Sequence, residues 1–389
     1  MQVNATENVP ASSTDVAVVG GGIVGLSIAW HIASRSDRQV TIVEGIGIGS
    51  GQTSIQPGGV RRQWSSRINC DLASYAYPFY MELSDQLGFD IDAGFKRCGY
   101  VFLAHSDQRL RQLTANIELQ REYGVDVQLL SAEEVSQFVP GLTSRTVVGA
   151  SYCQDDGYFD RPSAVVDGLL RACTQLGVKV VDGWVTSIDR SSHGWSLRTR
   201  DRRSLDSEVV VLANGCESAP LVSHVGVQLP VAPVARYLFY SNPIHQRILE
   251  PLVVSEEKKF AAKQLGDGSV LASDLSAGSI ESEGELEWRR HLDERIEELL
   301  PILSHVSFRT LVRGEYDMTP DGLPVVSRVL PDADLWVAVG NSGRGFMMAP
   351  AIGDLVSKAV LEGSQAELMR DLSIERFGRR ATVTEGEIV

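Results

Sequence analysis

The stretch DVAVVGGGIVGLSIAWHIAS, residues 15–34, decides how the rest of the chain is read. Asp15 to Val19 is a short apolar, β-branched run, the mark of a strand buried on both faces. Gly20-Gly21-Gly22-Ile23-Val24-Gly25 follows at once as G-x-G-x-x-G, and Leu26 to Ser34 continues as an apolar helix. In this order Gly20 makes the tight turn, Gly22 lets backbone approach a pyrophosphate, and Gly25 lets the helix pack on the strand. The helix N-terminus, at Ile23 and Val24, then faces the phosphates.

A second strand, Val40 to Val43, ends in Glu44, nineteen residues after Gly25. A carboxylate there accepts hydrogen bonds from an adenosine ribose diol and disfavours a 2′-phosphate. A purely structural glycine turn is the competing reading, and the flanking elements, all in register, weigh against it. The next segment, Gly45 to Gly59, has six Gly in fifteen residues. A nicotinamide domain usually proceeds into another helix at this point. A Gly/Ser loop of this length suits backbone wrapped around a ribityl chain and flavin ring, with Ser50, Gly51, Thr53, Gly58, Gly59 and Val60 as candidate contacts. A flexible surface loop is the alternative.

The remaining composition bounds the function. At 389 residues the chain holds two to three domains' worth of sequence, at about 150 residues each. Hydrophobic residues make up 43% and charged residues 22%, ordinary globular usage. The net charge of −14 repels phosphate backbones and anionic membrane surfaces, so nucleic acid is excluded as a partner. Cys70, Cys98, Cys153, Cys173 and Cys216 include no CxxC pair, which argues against a disulfide framework, a zinc ribbon or a disulfide reductase. The histidines do not cluster at ligand spacings, so no metal site is expected. Residues 1–14 show no targeting signal and read as a loose tail, and the apolar run Val16–Trp30 is too short and glycine-rich to span a membrane. A reducing, cytoplasmic location is the expectation.

No second G-x-G-x-x-G occurs, so one dinucleotide is expected. Ile68 to Leu87 and Asp107 to Tyr123 read as helices around a strand, Gly99 to Ala104. Ser131-Ala132-Glu133-Glu134 is a capping box that opens a short helix, ended by Pro140-Gly141. Ser163 to Leu176 is a helix, and Val178 to Val181 and Glu208 to Leu212 are strands, the latter leaving through Ala213-Asn214-Gly215, a turn that can touch a cofactor or simply connect. Strands dominate Val231 to Asp274, with a hairpin at Gly266-Asp267-Gly268. Glu285 to Leu303 is an amphipathic helix with a solvated charged face. Leu335 to Val339 is a strand, Gly340 to Gly345 (GNSGRG) a glycine turn, and a helix follows from about Met348 to Leu361. That helix N-terminus, with Gly343, Arg344, Gly345, Phe346 and Met347, can offer N–H groups to an electron-rich ring. A second phosphate loop is the alternative.

At this point GGGIVG with Glu44, SGQTSIQPGGVRRQW (50–64), YCQDDGYFDRPSAVVDGLLRA (152–172), GEYDMTPDGLPVVS (314–327) and GNSGRGFMMAPAIGD (340–354) together resemble FAD-dependent amine oxidoreductases of the D-amino-acid-oxidase superfamily, in particular the sarcosine oxidase β-subunit branch. The resemblance implies an α/β protein, α+β in part, in which a Rossmann-type FAD-binding domain (15–65, 145–225 and 310–365) is interleaved with a mixed-sheet substrate-binding domain (66–144 and 226–309), leaving 366–389 as a C-terminal tail. It implies hydride transfer from a carbon next to nitrogen, in a small secondary or tertiary amine or amino acid of the sarcosine, glycine or proline kind, to flavin N5.

Departures from the family pattern sharpen the expectation. Members that link FAD covalently do so through a Cys at the place of Gly314 or a His at about Ile55, so FAD is expected to be non-covalent here. Oxidases of the family carry an oxygen-activating Lys where this chain has Leu271, which favours a dehydrogenase. Lys263 or Lys259 on the neighbouring strand can substitute, although a surface lysine on an alternating strand is the plainer reading. The family's SGHGFK is SGRGFMM here, so its carboxylate-binding Lys is Met347 and its His is Arg344. Arg61, Arg62 and Arg344 are candidates for carboxylate capture, because a guanidinium meets a carboxylate bidentately; a structural ion pair is the competing role for each. Tyr316 corresponds to an active-site tyrosine. A 2-hydroxy-acid dehydrogenase, and an FAD-binding subunit or assembly factor that needs a partner chain or separate electron acceptor, are the other readings.

Overall fold

The computed structural model describes residues 12–142, 146–276, 284–363, 366–378 and 384–386. Its centre is strand Ser12–Val19, which pairs in parallel with Ser204–Leu212 on one side and Val40–Glu44 on the other. Val16, Ala17 and Val18 are fully buried. Lys179–Asp182 extends this sheet beyond Val40–Glu44, and the hairpin Val185–Ser191 and Gly194–Thr199 extends it beyond Ser204–Leu212. Ala333–Val339 runs parallel to the end of Ser204–Leu212 and brings Val325–Leu330 with it, making eight strands.

One face of this sheet is covered by helices Ile23–Ala33, Arg67–Met81, Pro162–Gln175 and Gly345–Glu362, which share one apolar core. The first helix is apolar all round and correspondingly buried, carrying His31 with it. Burial pushes the His31 imidazole down to about 4, so the ring is neutral where it meets Ser27 and Tyr75.

The second sheet also has eight strands, in the order Phe308–Met318, Ala232–Ser241, Val270–Asp274, Phe260–Gln264, Leu252–Ser255, Tyr100–Ala104, Gly149–Cys153, Gln128–Ser131. One face, with Val101, Phe260, Ala262 and Ala272, packs under Trp288, Leu292, Ile296 and Leu299 of helix Glu285–Leu299. Those four positions lie at helical spacing, and the opposite side carries the Arg289–Glu285 and Arg290–Glu287 ion pairs in solvent. The other face carries Tyr100, Phe102 and Ala261 and packs with Leu113 of helix Asp107–Glu122, while the Tyr100 hydroxyl lies over Gly59. A small third sheet, Gly59–Val60, Gly157–Phe159 and Phe95–Lys96, links the two bodies.

Several expectations are corrected. Ser12 to Thr14 belong to the first strand, paired with Leu205 to Ser207, so the loose tail cannot extend to residue 14; residues 1–11 lie outside the described part. The helix expected over Ile68–Leu87 is divided at Glu82 into Arg67–Met81 and Leu83–Leu87, just after Pro78, whose missing N–H leaves one carbonyl unbonded. Helix Glu285–Leu299 stops before Pro301, and the last long helix begins at Gly345 rather than Met348. The strands at 149–153 and 308–318 lie in the second sheet. Residues 143–145, on which one proposed domain boundary falls, lie outside the described part. The capping box at Ser131 forms as read, with Ser131 Oγ accepting from Glu134 N and Glu134 Oε2 accepting from Ser131 N at 2.8 Å.

The C-terminal segment packs on the fold. Helix Glu367–Asp371 and a turn at Ile374–Gly378 bring Arg376 to Asp321, where Nε and Nη2 donate to the two carboxylate oxygens at 2.7 and 3.1 Å. Asp321 is buried, and the Arg376 guanidinium, with the Leu323 N–H, holds its carboxyl below the usual range against the cost of burial. Removing one partner of such a pair strands the other. Asp321→Ala is therefore expected to lower stability by about 3–5 kcal/mol, read as the urea midpoint at pH 7; a loss under about 1 kcal/mol would show that Arg376 finds water instead.

Candidate active site

A cleft of about 370 Å³ opens at the carboxyl ends of Ser12–Val19 and Val40–Glu44, the place where open α/β sheets bind ligands. Gly20, Gly22, Ile23 and Val24 form its floor, Glu44 its far end, and Ser50, Gly51 and Thr53 one flank. Ala213, Asn214 and Gly215 line the other flank, and Gly343, Gly345, Phe346 and Tyr316 the opposite end. Gly20 has φ +105°, and a Cβ there would collide with the Ala213 carbonyl. Gly25 lies behind the floor, against the Gly20 carbonyl, so its part is helix packing rather than contact.

Local chemistry at the floor matches a phosphate-bearing ligand. The first helix starts at Ile23 with no side-chain cap and no acidic residue in its first turn. Only Thr53 Oγ1 reaches in, accepting from Ile23 N at 3.1 Å. Glu44 Oε2 accepts from Gly21 N at 2.6 Å, and Oε1 accepts from Ile46 N at 2.7 Å, which fixes the carboxylate at the cleft's end. Oε1 also accepts from Gly47 N at 3.3 Å, so it is Oε2, with one donor, that keeps a lone pair for a hydroxyl. Sequence reading missed Trp184, Arg236, Leu238 and Val312, which also line the cleft. They come from loops and the second sheet, and no motif marks them.

Gly58, Gly59, Val60, Arg61, Arg344 and Met347 do not line this cleft. They gather beside it, under the second sheet. A Cβ on Gly59 would meet the Tyr100 hydroxyl and come within 3.9 Å of Met347 Cε. Arg61 is 3% exposed, with its guanidinium 3.8 Å from the Trp64 ring centroid and 5.0 Å from that of Phe102. Arg62 points the other way, over Tyr77, and pairs with Asp155 at 2.8 Å, which gives it the structural role. Asp156 is buried between them, accepting from Arg62 N and Gln63 Nε2, and burial pushes its carboxyl up to about 6.

Arg344 is 2% exposed and lies over the other side of this cluster, 5.7 Å from the Trp64 centroid. Among the described residues no acceptor reaches its Nε, Nη1 or Nη2. Burial lowers its pKa to about 10, which still leaves it charged at pH 7. Tyr316 stands between the cleft and this cluster: its ring fills the space a Cβ on Gly343 would need, and the Arg236 guanidinium lies 5.1 Å from its centroid. Burial raises the Tyr316 phenol, against the pull of Arg236, Arg344 and Arg61.

Lys263 corrects the expectation of a surface lysine. It is 1% exposed, on an interior strand covered on both faces, and it sits directly across from Leu271, so the two side chains share a face. Its ammonium donates to the Pro57 carbonyl and lies 3.9 Å from the Tyr158 ring centroid. Burial lowers its pKa to about 7. Ile55 and Gly314 also meet: a Cβ on Gly314 would be 2.6 Å from Ile55 Cδ1.

Comparison with known proteins agrees with this geometry. Residues 15–359 match the DAO family model, described as FAD dependent oxidoreductase. The chain belongs to that family. It is 27% identical to bovine FAD-dependent oxidoreductase domain-containing protein 1, over 92% of this chain and 83% of that one. It is 25% identical to sarcosine oxidase subunit beta of Rhizobium meliloti, over 97% and 91%. The crystal structure of L-proline dehydrogenase from P. horikoshii superposes with a TM-score of 0.86 at 25% identity, covering 96% of this chain and all of that one.

The protein is an FAD-dependent oxidoreductase by family, and Gly22 lies on the floor of the cleft. A Cβ there would stand 3.0 Å from Thr53 Oγ1, the atom that holds the helix N-terminus. Gly22→Val is expected to fold, by far-UV circular dichroism, yet to purify without absorbance near 450 nm and to take up no added FAD.

Proposed function

We propose that the protein oxidises the C–N bond of a small secondary or tertiary amino acid, using non-covalent FAD held in the cleft between the first helix and the Gly343–Phe346 turn. The observation that carries the substrate reading is Arg344: a guanidinium 2% exposed, with three nitrogens unpartnered among the described residues. A buried charge with no partner costs several kcal/mol, and a guanidinium does not escape by losing its proton. A substrate carboxylate supplies the missing acceptors with a bidentate fit.

In this reading Gly20, Gly22, Ile23, Val24 and Glu44 hold the pyrophosphate and ribose; Ser50, Gly51, Thr53 and Ala213 to Gly215 flank the chain between them; and Gly58 to Val60, Gly343, Gly345, Phe346 and Met347 border the ring. Bound FAD supplies the hydride acceptor. Arg344, with Arg61 beside it, fixes the substrate by its carboxylate, and Tyr316 forms the wall between carboxylate and cleft. Trp64, Phe102 and Tyr100 exclude water from the same space. The substrate nitrogen is left with its lone pair, and loss of hydride from the neighbouring carbon gives an iminium that water hydrolyses after release.

Leu271 where oxidases carry a lysine supports a dehydrogenase, and Lys263, on the same face, supports a residual reaction with oxygen. The relative that is itself a subunit supports a second arrangement in which a partner chain takes the electrons.

Anaerobic titration of the purified holoprotein with N-methyl amino acids, cyclic amino acids, plain amines and 2-hydroxy acids tests the reading. Bleaching by carboxylated amines is the expected result, and bleaching only by 2-hydroxy acids would replace it. Arg344→Met is expected to raise KM for carboxylated substrates by a factor equivalent to about 1.5–3 kcal/mol. Acid precipitation is expected to leave all the flavin in the supernatant, since neither Ile55 nor Gly314 offers a nucleophile.

A further inference from the structure

The only described residues beyond Gly378 are Thr384 to Gly386, and they pack against the start of helix Arg67–Met81. Glu385 is 1% exposed. Its Oε1 accepts from Ser65 N at 3.1 Å and from Ser65 Oγ; its Oε2 accepts from Ser66 Oγ and Asn69 Nδ2, both at 2.7 Å. Its own N–H donates to the Asp321 carbonyl at 3.1 Å, and Gly386 N donates to Ser65 Oγ at 2.8 Å. Ser66 is the N-cap of helix Arg67–Met81, so the carboxylate also sits at a helix N-terminus.

These donors immediately follow Trp64, the ring that Arg61 and Arg344 share. Glu385 is the acid that most favours the charged form of Arg344, against burial and against Arg61; Asp317 helps less, and its carboxylate is committed to the Gly340 N–H at 2.8 Å. Yet Glu385 does not hydrogen-bond Arg344, whose three nitrogens stay open. Its oxygens are held off by Ser65, Ser66 and Asn69. A negative charge placed in this way offsets the buried cation without occupying the donors a ligand would use.

Resting on the reading of Arg344 as the carboxylate receptor, we propose that Glu385, delivered by the C-terminal tail, sets the substrate class: it tunes the pocket to one carboxylate and disfavours substrates that carry a second. Arg61 and Arg344 put two buried positive charges beside the Trp64 ring, a setting that by charge alone would favour a doubly negative substrate. With Glu385 fixed beside them, the second carboxylate of such a substrate meets a like charge in a site that water does not screen. Glu385 is thus a specificity residue that acts through Arg344, supplied from outside every motif that marks the family.

The test uses the FAD-loaded full chain and measures dissociation constants of acetate and succinate from the change in flavin absorbance. In the native protein acetate is expected to bind more tightly than succinate. Glu385→Gln is expected to lower the ratio of the succinate constant to the acetate constant at least tenfold, with FAD content unchanged. Glu385→Ala, which leaves no amide to reorganise the serines, is expected to do the same. A ratio within twofold of native in both variants would overturn the proposal and leave Glu385 as an anchor only. Arg344→Met separates this outcome from failure of the underlying reading: it is expected to weaken acetate at least tenfold whatever stands at 385, and native acetate binding in that variant would remove the carboxylate receptor itself.

Discussion

The close contact between the first strand's exit and the first helix governs the molecule. Gly25 lies against the carbonyl of Gly20, and Gly20 lies against the carbonyl of Ala213, with no room for a Cβ at either place. This contact lets three chain segments meet at one edge of the parallel sheet and aims the start of the first helix at the gap between them. The same helix carries the last long helix on its other side, where Gly353 packs on Ser27 and His31. The cleft floor and the Gly343–Phe346 turn, far apart in sequence, are therefore positioned by one element. A polar or bulky residue along that helix would disturb both ends of the cleft together.

The second sheet depends on this frame differently. Its outer face is a self-sufficient core under Trp288, Leu292 and Ile296, whereas its inner face carries Tyr100, Phe102 and Lys263 among apolar neighbours. Polar groups on that face must find partners across the gap. Lys263 finds Pro57, the Tyr158 hydroxyl finds Gln264, and Gln63 finds the Tyr100 carbonyl. Residues 57–63 are thus tied to the roof at both ends, by the Lys263 side chain at the Pro57 carbonyl and by the Gln63 side chain at the Tyr100 carbonyl, with Arg61 between them.

Legibility in the sequence followed how local the determinant was. The strand, glycine turn and helix at 15–34, the capping box at Ser131 and the amphipathic helix from Glu285 are written in residues close to one another, and each forms, with bounds shifted by a few residues at the strand's start and at the helix before Pro301. The hairpin Val185–Thr199 escaped, because Thr, Ser, Asp and Arg alternate there with few apolar residues on an edge of the sheet. Leu252–Ser255 escaped because four buried residues show no period. Lys263 was misread for a related reason: alternation on a strand exposes every second residue only when one face is bare, and this strand has neighbours on both sides and cover on both faces. Of the candidate arginines, spacing could name all three but could not separate the one paired with Asp155 from the one left open. That difference is made by contacts across about ninety residues and more.

Glu385 shows why such a site resists sequence reading altogether. A buried guanidinium wants a counter-charge, but Arg344 sits in a turn of glycine, asparagine and serine whose neighbours must stay small: a Cβ on Gly343 has no room beside Tyr316, and Asn341 and Ser342 are packed under the strand ends. An acid within that turn would also lie at the start of the long helix, in the path of any ligand approaching its N–H groups. The charge is brought instead by Glu385, far along the chain, and it is tied down by hydroxyls and an amide rather than by the arginine. An ion pair at Arg344 would satisfy the fold and close the site. A carboxylate held short of contact offsets the charge and leaves the Arg344 nitrogens without an acceptor among the described residues, so charge balance and hydrogen bonding are separated at this position.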